Sequence, residues 1–553
     1  MTTIAQGERA TNTLRAGQQL QVTVSSGSAL VERFIGSTLI DKDAVSASVR
    51  YGPYTEDLQY RVTCISGLIS LELESALRAS PDAMVARFSD TTGSALVGPD
   101  GYTRSVSLGY RLGAVLGDSL ASQHFIAHMA GAGPGTQGYW AWANALLGSP
   151  FSLRNFGYAG ATVEDIFSRG WQIPPVIDCV FITAGTNDVL ALSSGASAGQ
   201  VTTEYQRITG IMAAGIAQLK AAGKRVALST IPPNSAYSSG ADARISLLAQ
   251  VNAWINARIA DGTVFGFDLF AAIWDSAQPT LALFGGGGLY TSDGTHLTNV
   301  GGYVGGNAAR ACVAAMYSAS GSIGFDPYDG ADNALFNISQ MRTISGVSST
   351  ITHGSGALAS GWRSLNSGSG TPTLVLSNAD QYTASTEYVG PWAQRTPTDA
   401  ERWQKLAITG AVSGSIIRLQ LATQLSGSAW PQGIMPGDTM MPEFEVMVRD
   451  PVALAYVGGQ VEMNFSAGTA PVDQPYSSAT SYARSSTGIM ANGGTSVAMP
   501  EGFRCVWRGN PVRAPENIST SAVTAHFQVN VGFNGAGSAD VYVARAAAWR
   551  RCG

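Results

Sequence analysis

The chain has 553 residues, a net charge of -5, 65 glycines and a charged fraction of only 13%. This length exceeds what one hydrophobic core supports, since single cores stop growing near about 250–300 residues. The sequence shows neither the clustered basic face that nucleic-acid binding needs nor an apolar run long enough to span a membrane. We therefore expect several domains, no nucleic-acid partner and no membrane span. A surface so poor in charge favours turn-rich β structure with large contacts between copies, so we expect a homo-oligomer, with a trimer as one arrangement.

The cysteines and the first residues indicate the compartment of synthesis. The five cysteines are scattered and lack the spacing of metal ligands, which predicts free thiols in a chain made in the cytoplasm. Residues 1–17 lack the apolar core of a signal peptide. We expect synthesis in the cytoplasm and, by a route such as packaging into a particle, action at a cell surface.

Three regions follow one another along the chain. Residues 1–105 contain runs that alternate with period two, at 20–24, 45–49 and 60–64, and predict a β-rich domain used for attachment. Residues 106–320 alternate candidate strands (112–116, 176–182, 225–229) with helical spacing of apolar residues (201–219, 245–259). Such βαβ alternation predicts a parallel sheet covered by helices on both faces. Residues 321–553 return to short alternating runs (415–422, 444–448, 461–465, 526–531, 540–543), typical of a β-sandwich or jelly roll.

Four short segments of the middle region follow predicted strands or lie in late loops. They are Gly-Asp-Ser-Leu at 117–120, the glycine-rich stretch 155–162, Gly-Thr-Asn-Asp at 185–188, and 293–298 with its aspartate and histidine. Reacting groups in open α/β sheets gather at the carboxyl ends of the strands. We therefore expect the four segments to converge on one crevice.

The residue types in these segments suit nucleophilic catalysis. A serine hydroxyl needs an imidazole to take its proton, and the imidazole needs a carboxylate to hold its tautomer. Ser119 is the candidate nucleophile, and His296 with Asp293 the candidate base and its partner. The developing oxyanion needs preorganised donors, for which we predict the backbone N–H groups of Ser119 and Gly160 and the side-chain amide of Asn187.

The four segments resemble the conserved blocks of the SGNH (GDSL) hydrolases. By that resemblance Ser119 corresponds to the block I nucleophile, Gly160 and Asn187 to the block II and III oxyanion donors, and Asp293 and His296 to the D-x-x-H pair of block V. The resemblance covers residues 106–320. It implies a three-layer α/β/α fold and ester hydrolysis with neither a metal nor another cofactor.

Four of these five residues also have a structural alternative. Ser119 is a suitable helix cap, Gly160 a turn glycine, Asn187 a loop cap and Asp293 an Asx-turn residue.

Two other stretches of the sequence could hold a reactive site. Ser197, within Gly-Ala-Ser-Ala-Gly at 195–199, matches the nucleophile elbow of α/β-hydrolases, but the strand that must precede an elbow is missing; we expect a loop and helix start. His124 and His128 are spaced to share a helix face and bind a metal, but no carboxylate pattern accompanies them. We expect them to be solvated.

The flanking regions resemble parts of other proteins and suggest where this hydrolase region acts. The stretch 51–57 resembles small β pieces of phage and prophage virion proteins, and β domains around an SGNH hydrolase resemble phage tail fibres and spikes that deacetylate polysaccharides. The C-terminal region resembles carbohydrate-binding jelly rolls, in which tryptophans either stack on sugar rings or pack in the core. Here they are Trp362, Trp392, Trp403, Trp430 and Trp507.

We therefore expect a serine esterase acting on small acyl esters, in particular O-acetyl groups of a polysaccharide, with the acylated polysaccharide or a small ester as its partner. The alternatives are a lipase-like or thioesterase-like acyl hydrolase, and a structural or glycan-binding virion protein whose hydrolase fold is inactive.

Overall fold

The computed structural model describes residues 2–5, 9–14, 18–35, 38–45, 49–51, 58–75, 95–97, 103–105, 111–122, 138–174, 177–237, 239–291, 293–319, 349–366, 368–390, 393, 401–421, 439–464, 482–490, 499–500, 502–508, 512–513 and 524–550. The chain forms two compact units, Met1–Ser107 and Leu108–Gly553. Within the described residues, no helix is both long and apolar enough to cross a bilayer.

The described residues of the first unit form antiparallel β structure. Its strands are β1 (Thr2–Ala5), β2 (Arg9–Leu14), β3 (Gln18–Ile35), β4 (Thr38–Val45), β5 (Val49–Tyr51), β6 (Leu58–Ser75), β7 (Ala95–Val97) and β8 (Thr103–Ser105). The long strands β3 and β6 pair with each other and carry β1, β2, β4 and β5 along their edges, while β7 pairs with β8. The predicted runs 20–24 and 60–64 lie in β3 and β6. The attachment role of this region stays a prediction.

The second unit begins with a five-stranded parallel sheet. Its strands are β9 (Arg111–Gly117), β10 (Phe151–Gly157), β11 (Cys179–Thr183), β12 (Arg225–Ser229) and β13 (Phe265–Phe267), in the order β10-β9-β11-β12-β13. Every pairing in it is parallel. The predicted parallel α/β domain is thereby confirmed.

Helices cover both faces of this sheet. They are α1 (Ser119–Ser122), α2 (Tyr139–Leu146), α3 (Val163–Ser168), α4 (Thr186–Ala191), α5 (Ala198–Ala221), α6 (Ala243–Ala260), α7 (Leu269–Ile273) and α8 (Asn299–Ala319). Along β11, Val180 and Ile182 enter the core shared with α5 and α6, whereas Cys179 and Phe181 enter the core shared with α2 and α8. This period of two along a fully buried strand is what a three-layer arrangement requires.

The C-terminal residues form one mixed sheet of eleven strands. These are β14 (Thr350–Ile351), β15 (Ser355–Gly356), β16 (Trp362–Asn366), β17 (Thr373–Ser377), β18 (Gln404–Ala411), β19 (Ile416–Leu421), β20 (Thr439–Asn464), β21 (Tyr482–Met490), β22 (Arg504–Arg508), β23 (Val512–Arg513) and β24 (Thr524–Arg550). Two pairings, β14 with β16 and β15 with β17, are parallel, and the others are antiparallel.

This sheet differs in its hydrogen bonding from the predicted sandwich. The strands β20 and β24 pair along their whole length, with register shifts around Arg449 and Leu454, and such bulges bend a strand. A Cβ on Gly459 would lie 2.5 Å from the ring of Phe444 on the same strand, so β20 folds back over the core. One continuous sheet, bent until it is nearly barrel-shaped, therefore surrounds the core that two separate sheets were expected to enclose.

Three of the five tryptophans considered for sugar stacking lie in the interior. Trp362, Trp403 and Trp507 are buried, and Trp362 and Trp507 belong to the core of the mixed sheet. Their rings are inaccessible to a sugar, so the core-packing alternative holds for these three. Trp392 and Trp430 lie outside the described residues.

The α/β domain and the mixed sheet share a core. Trp142 of α2 is fully buried, and its ring centroid lies 5.3 Å from that of Tyr303, 5.5 Å from Phe503 and 5.1 Å from Trp507. Close by, the Ser149 hydroxyl donates to the Val506 carbonyl at 2.7 Å. The α/β region is therefore packed against the C-terminal region rather than standing apart from it.

We predict that Trp142→Ala lowers the free energy of unfolding by about 3–5 kcal/mol, because it opens a cavity where the two regions meet. Trp171→Ala is the matched control, since that ring is 81% exposed and exposed substitutions change stability by about 0.5 kcal/mol or less. Thermal melts of both variants and the parent protein measure the difference. Equal melting temperatures for the two variants would contradict the shared core.

Candidate active site

Ser119 begins α1 directly after β9, at the carboxyl edge of the parallel sheet. The helix approaches β10 so closely that a Cβ on Gly157 would lie 2.3 Å from the Ser122 backbone nitrogen. The Asn155 amide donates to the Ser122 carbonyl at 2.9 Å. The short helix that carries the predicted nucleophile is thus fixed against the neighbouring strand.

Asp118, immediately before Ser119, is fully buried. Its Oδ1 accepts the Leu120 backbone N–H at 3.0 Å and so caps the first turn of α1. Burial raises the pKa of the Asp118 carboxyl to about 7, although the Leu120 N–H, the Thr186 hydroxyl and the charge of His296 act to lower it. The loop that carries His296 is bonded through Gly294 to Ser235, which follows β12 at the same edge of the sheet. The role of Asp118 was not predicted from the sequence. An aspartate at a strand-to-helix junction is the sequence feature that could have revealed it.

A cluster of buried hydroxyls joins α2 to the ends of two strands. The Tyr139 hydroxyl lies 2.5 Å from Thr183 Oγ1 and 2.6 Å from Ser229 Oγ. Burial first, and the nearby charge of Asp118 in addition, raise the pKa of Tyr139. Buried polar groups that satisfy one another make a site rigid. Sequence analysis missed this cluster because its members are 44 and 90 residues apart.

Asp293 and His296 are in direct contact within one loop. His296 Nδ1 lies 2.6 Å from Asp293 Oδ2, while Asp293 Oδ1 accepts the backbone N–H of Thr295 at 2.9 Å and of His296 at 2.8 Å. Partial burial acts to raise the pKa of Asp293, but these hydrogen bonds and the imidazole outweigh it and lower the pKa. An ionised Asp293 favours the proton on Nδ1, which leaves Nε2 of His296 able to accept one.

The loop after β12 holds the Asp293–His296 loop in place. The Ser235 backbone N–H donates to the Gly294 carbonyl at 2.8 Å, and the buried Asn234 amide donates to Thr295 Oγ1 at 3.0 Å. Gly294 has a φ of +83°, and a Cβ there would lie 2.5 Å from the Ser235 side chain. Sequence analysis missed this support, because Asn234 and Thr295 are 61 residues apart.

Gly160 lies at the third position of a tight turn between β10 and α3. The Ala161 N–H donates to the Tyr158 carbonyl at 3.2 Å, and the φ of +79° at Gly160 is what a type II turn demands. The Asn187 amide donates to the Ala161 carbonyl at 2.9 Å. An amide carries two N–H groups, so this bond orients Asn187 and leaves its second N–H for an oxyanion.

The two competing sites fare differently. Ser197 caps α5: its hydroxyl accepts the Gln200 N–H, and the Gln200 side chain accepts the Ser197 N–H at 2.8 Å. The expected helix start is therefore confirmed. His124 and His128 lie outside the described residues. Within the described ranges, no group of three or more His, Cys, Asp or Glu side chains is arranged to hold a metal ion.

The structure thus brings the predicted residues to one edge of a parallel α/β sheet: a serine at a strand-to-helix junction, a histidine paired with a carboxylate, and a turn and amide suited to an oxyanion. This arrangement is compatible with an α/β hydrolase that uses a serine nucleophile. Residues 115–302 match the model of the "GDSL-like Lipase/Acylhydrolase family", and the chain contains an acylhydrolase domain of that family.

Several solved structures are similar to part of the chain. A lipolytic protein of the G-D-S-L family from Veillonella parvula is 17% identical, with 36% of this chain and 96% of that chain covered and a TM-score of 0.27. An acetylxylan esterase from Geobacillus stearothermophilus is 18% identical, covering 39% and 98%, with a TM-score of 0.28. A GDSL-like lipase from Bacteroides thetaiotaomicron is 16% identical, covering 38% and 88%, with a TM-score of 0.26. No curated protein sequence matches the chain.

The buried Asp118 predicts an unusual pH dependence of stability. Between about pH 4 and 7 the folded protein holds a proton on Asp118 that the unfolded chain has released, so stability falls as pH rises through this range. Asp118→Asn removes the free-energy cost of ionising a buried carboxyl, while its amide oxygen can still accept the Leu120 N–H. We expect the difference in melting temperature between the variant and the parent protein to increase in favour of the variant from pH 4.5 to pH 8. A difference independent of pH would show that Asp118 titrates normally.

Proposed function

We propose that this protein is a serine esterase that removes small acyl groups, in particular O-acetyl groups, from a polysaccharide. The observation that carries the proposal is the Asp293–His296 pair, which lies at the same sheet edge as Ser119.

The proposed reaction proceeds through an acyl-enzyme. Ser119 Oγ attacks the ester carbonyl while His296 Nε2 takes the hydroxyl proton. The carbonyl oxygen becomes an oxyanion that accepts hydrogen bonds from the N–H groups of Ser119 and Gly160 and from the Asn187 amide. When the tetrahedral intermediate collapses, the bond between the acyl carbon and the sugar oxygen breaks. The departing oxygen takes the proton from His296 and leaves as the sugar hydroxyl. Water, activated by His296 in the same way, then releases the acid and regenerates Ser119.

The openness of the site supports a polymeric substrate. Asp293 and His296 retain 52% and 29% of their side-chain exposure, and residues 158–160 are exposed. Tyr158 is 57% exposed, and the Arg169 guanidinium lies 4.2 Å from its ring centroid. An aromatic ring fixed beside the oxyanion turn suits stacking against a sugar. An exposed site of this kind favours a polysaccharide that carries short acyl groups. It is less suited to a lipid, whose acyl tail would have to be buried.

We also propose a virion-associated homo-oligomer as the setting. The basis is the low charge content and the sequence resemblances of the flanking β regions.

The test is an esterase assay on matched serine variants. Ser119→Ala should lower turnover by about 10³–10⁶-fold, whereas Ser197→Ala, which removes only a helix cap, should retain it. Comparable activity in the Ser119→Ala protein would contradict the assignment.

A panel of substrates separates the proposed function from its alternatives. We expect p-nitrophenyl acetate to be cleaved faster than long-chain p-nitrophenyl esters, and acetate to be released from an acetylated polysaccharide. Preference for long acyl chains would indicate a lipase, and no hydrolysis of any ester would indicate an inactive fold.

A further inference from the structure

Two hydrogen bonds connect the Asn187 segment to the Gly160 turn. Besides the bond from the Asn187 amide to the Ala161 carbonyl at 2.9 Å, the Val163 backbone N–H donates to Asp188 Oδ2 at 2.9 Å. Asn187 and Asp188 are adjacent in the first turn of α4, and Ala161 and Val163 flank the start of α3. The two predicted oxyanion loops are therefore tied at two points.

The Asp188 carboxylate is held in turn by α5. Its side chain has no exposure to solvent, and its Oδ1 forms an ion pair with Arg207. The Arg207 Nε also donates to the two carboxylate oxygens of Glu204, at 2.9 and 3.0 Å, one helical turn earlier. Because a buried charge needs a charged partner, Arg207 determines whether Asp188 stays in place.

We propose that Asp188 and Arg207 are positioning residues that set the distance between the Gly160 and Asn187 oxyanion donors. This inference rests on the proposed serine esterase function. Neither residue touches the substrate; they act by fixing α3 and α4 to the long helix α5. Oxyanion donors contribute to rate only when they are preorganised, and a misplacement of about 1 Å costs about a hundredfold in rate.

The experiment compares Asp188→Asn and Arg207→Met with the parent protein on p-nitrophenyl acetate. We expect kcat to fall by about 10–100-fold with KM changed less than about twofold, because the donors act mainly on the transition state. The inhibition constant of a boronic acid, which mimics the tetrahedral intermediate, should rise in parallel. Arg207→Lys, which keeps the charge, should recover part of kcat. Active-site titration with a fluorophosphonate corrects every value for the fraction of folded protein.

The matched control is Asp178→Asn, which removes the Asp178–Arg225 ion pair of 2.8 Å at the amino-terminal end of β12. Its kcat should remain within about twofold of the parent. If Arg207→Met fails to fold, Arg207→Lys and Glu204→Gln must still show a decrease in kcat, smaller than that of Asp188→Asn, with unchanged KM. Unimpaired kcat in folded Asp188 and Arg207 variants, beside an impaired Asn187→Ala, overturns the positioning role alone. Unimpaired kcat in Asn187→Ala overturns the oxyanion assignment and this proposal with it.

Discussion

The candidate site depends on the register of three parallel strands. Gly117 of β9 pairs with Gly157 of β10 and with Thr183 of β11, so the three strands end at the same level. The residues that follow them, Ser119, Gly160 and Asn187, therefore leave the sheet side by side. Parallel strands impose this outcome because all their carboxyl ends meet at one edge. A slip of one residue would also exchange the two buried faces of a strand, so the cores on either side hold the register and with it the site.

The structural roles of the site residues are compatible with the chemical roles proposed for them. Gly160 is a turn glycine, and the type II turn that needs it also presents its backbone at the open edge. Asp293 is an Asx-turn residue, and the backbone N–H groups that donate hydrogen bonds to it help to lower its pKa, so it is ionised beside His296. From the sequence alone, the structural role and the chemical role of each residue were alternatives. Because a site must be rigid to stabilise a developing charge, the residues that shape its loops are well placed to serve it.

Local patterns predicted the parts of the fold that are local. The strand 225–229 and the helical spacing of 201–219 depend on neighbouring residues only, and both appear as β12 and within α5. In the C-terminal region the runs 444–448 and 461–465 read as separate strands, yet residues 444–448 and 461–464 belong to one strand, β20. The Asp450-Pro451 pair between them suggests a turn, but it forms a bulge in which Asp450 has a φ of +50°. Pairing with β24 carries the strand through, and no local pattern encodes a partner so distant.

The C-terminal region contacts the α/β domain at the start of β10 and along the helices α2 and α8. Its polar contacts include those to Leu147 and Ser149, which precede the first residue of β10, and the ion pair of 3.0 Å between Arg310 of α8 and Glu387. The C-terminal region therefore stabilises the domain through α2, α8 and the start of β10. Under the proposed function, a glycan bound by this region would raise the effective concentration of the polymer at the candidate site. Under the proposed function, contacts to the reacting sugar come from the loops that carry the candidate site residues, because Tyr158 is exposed there beside the Gly160 turn.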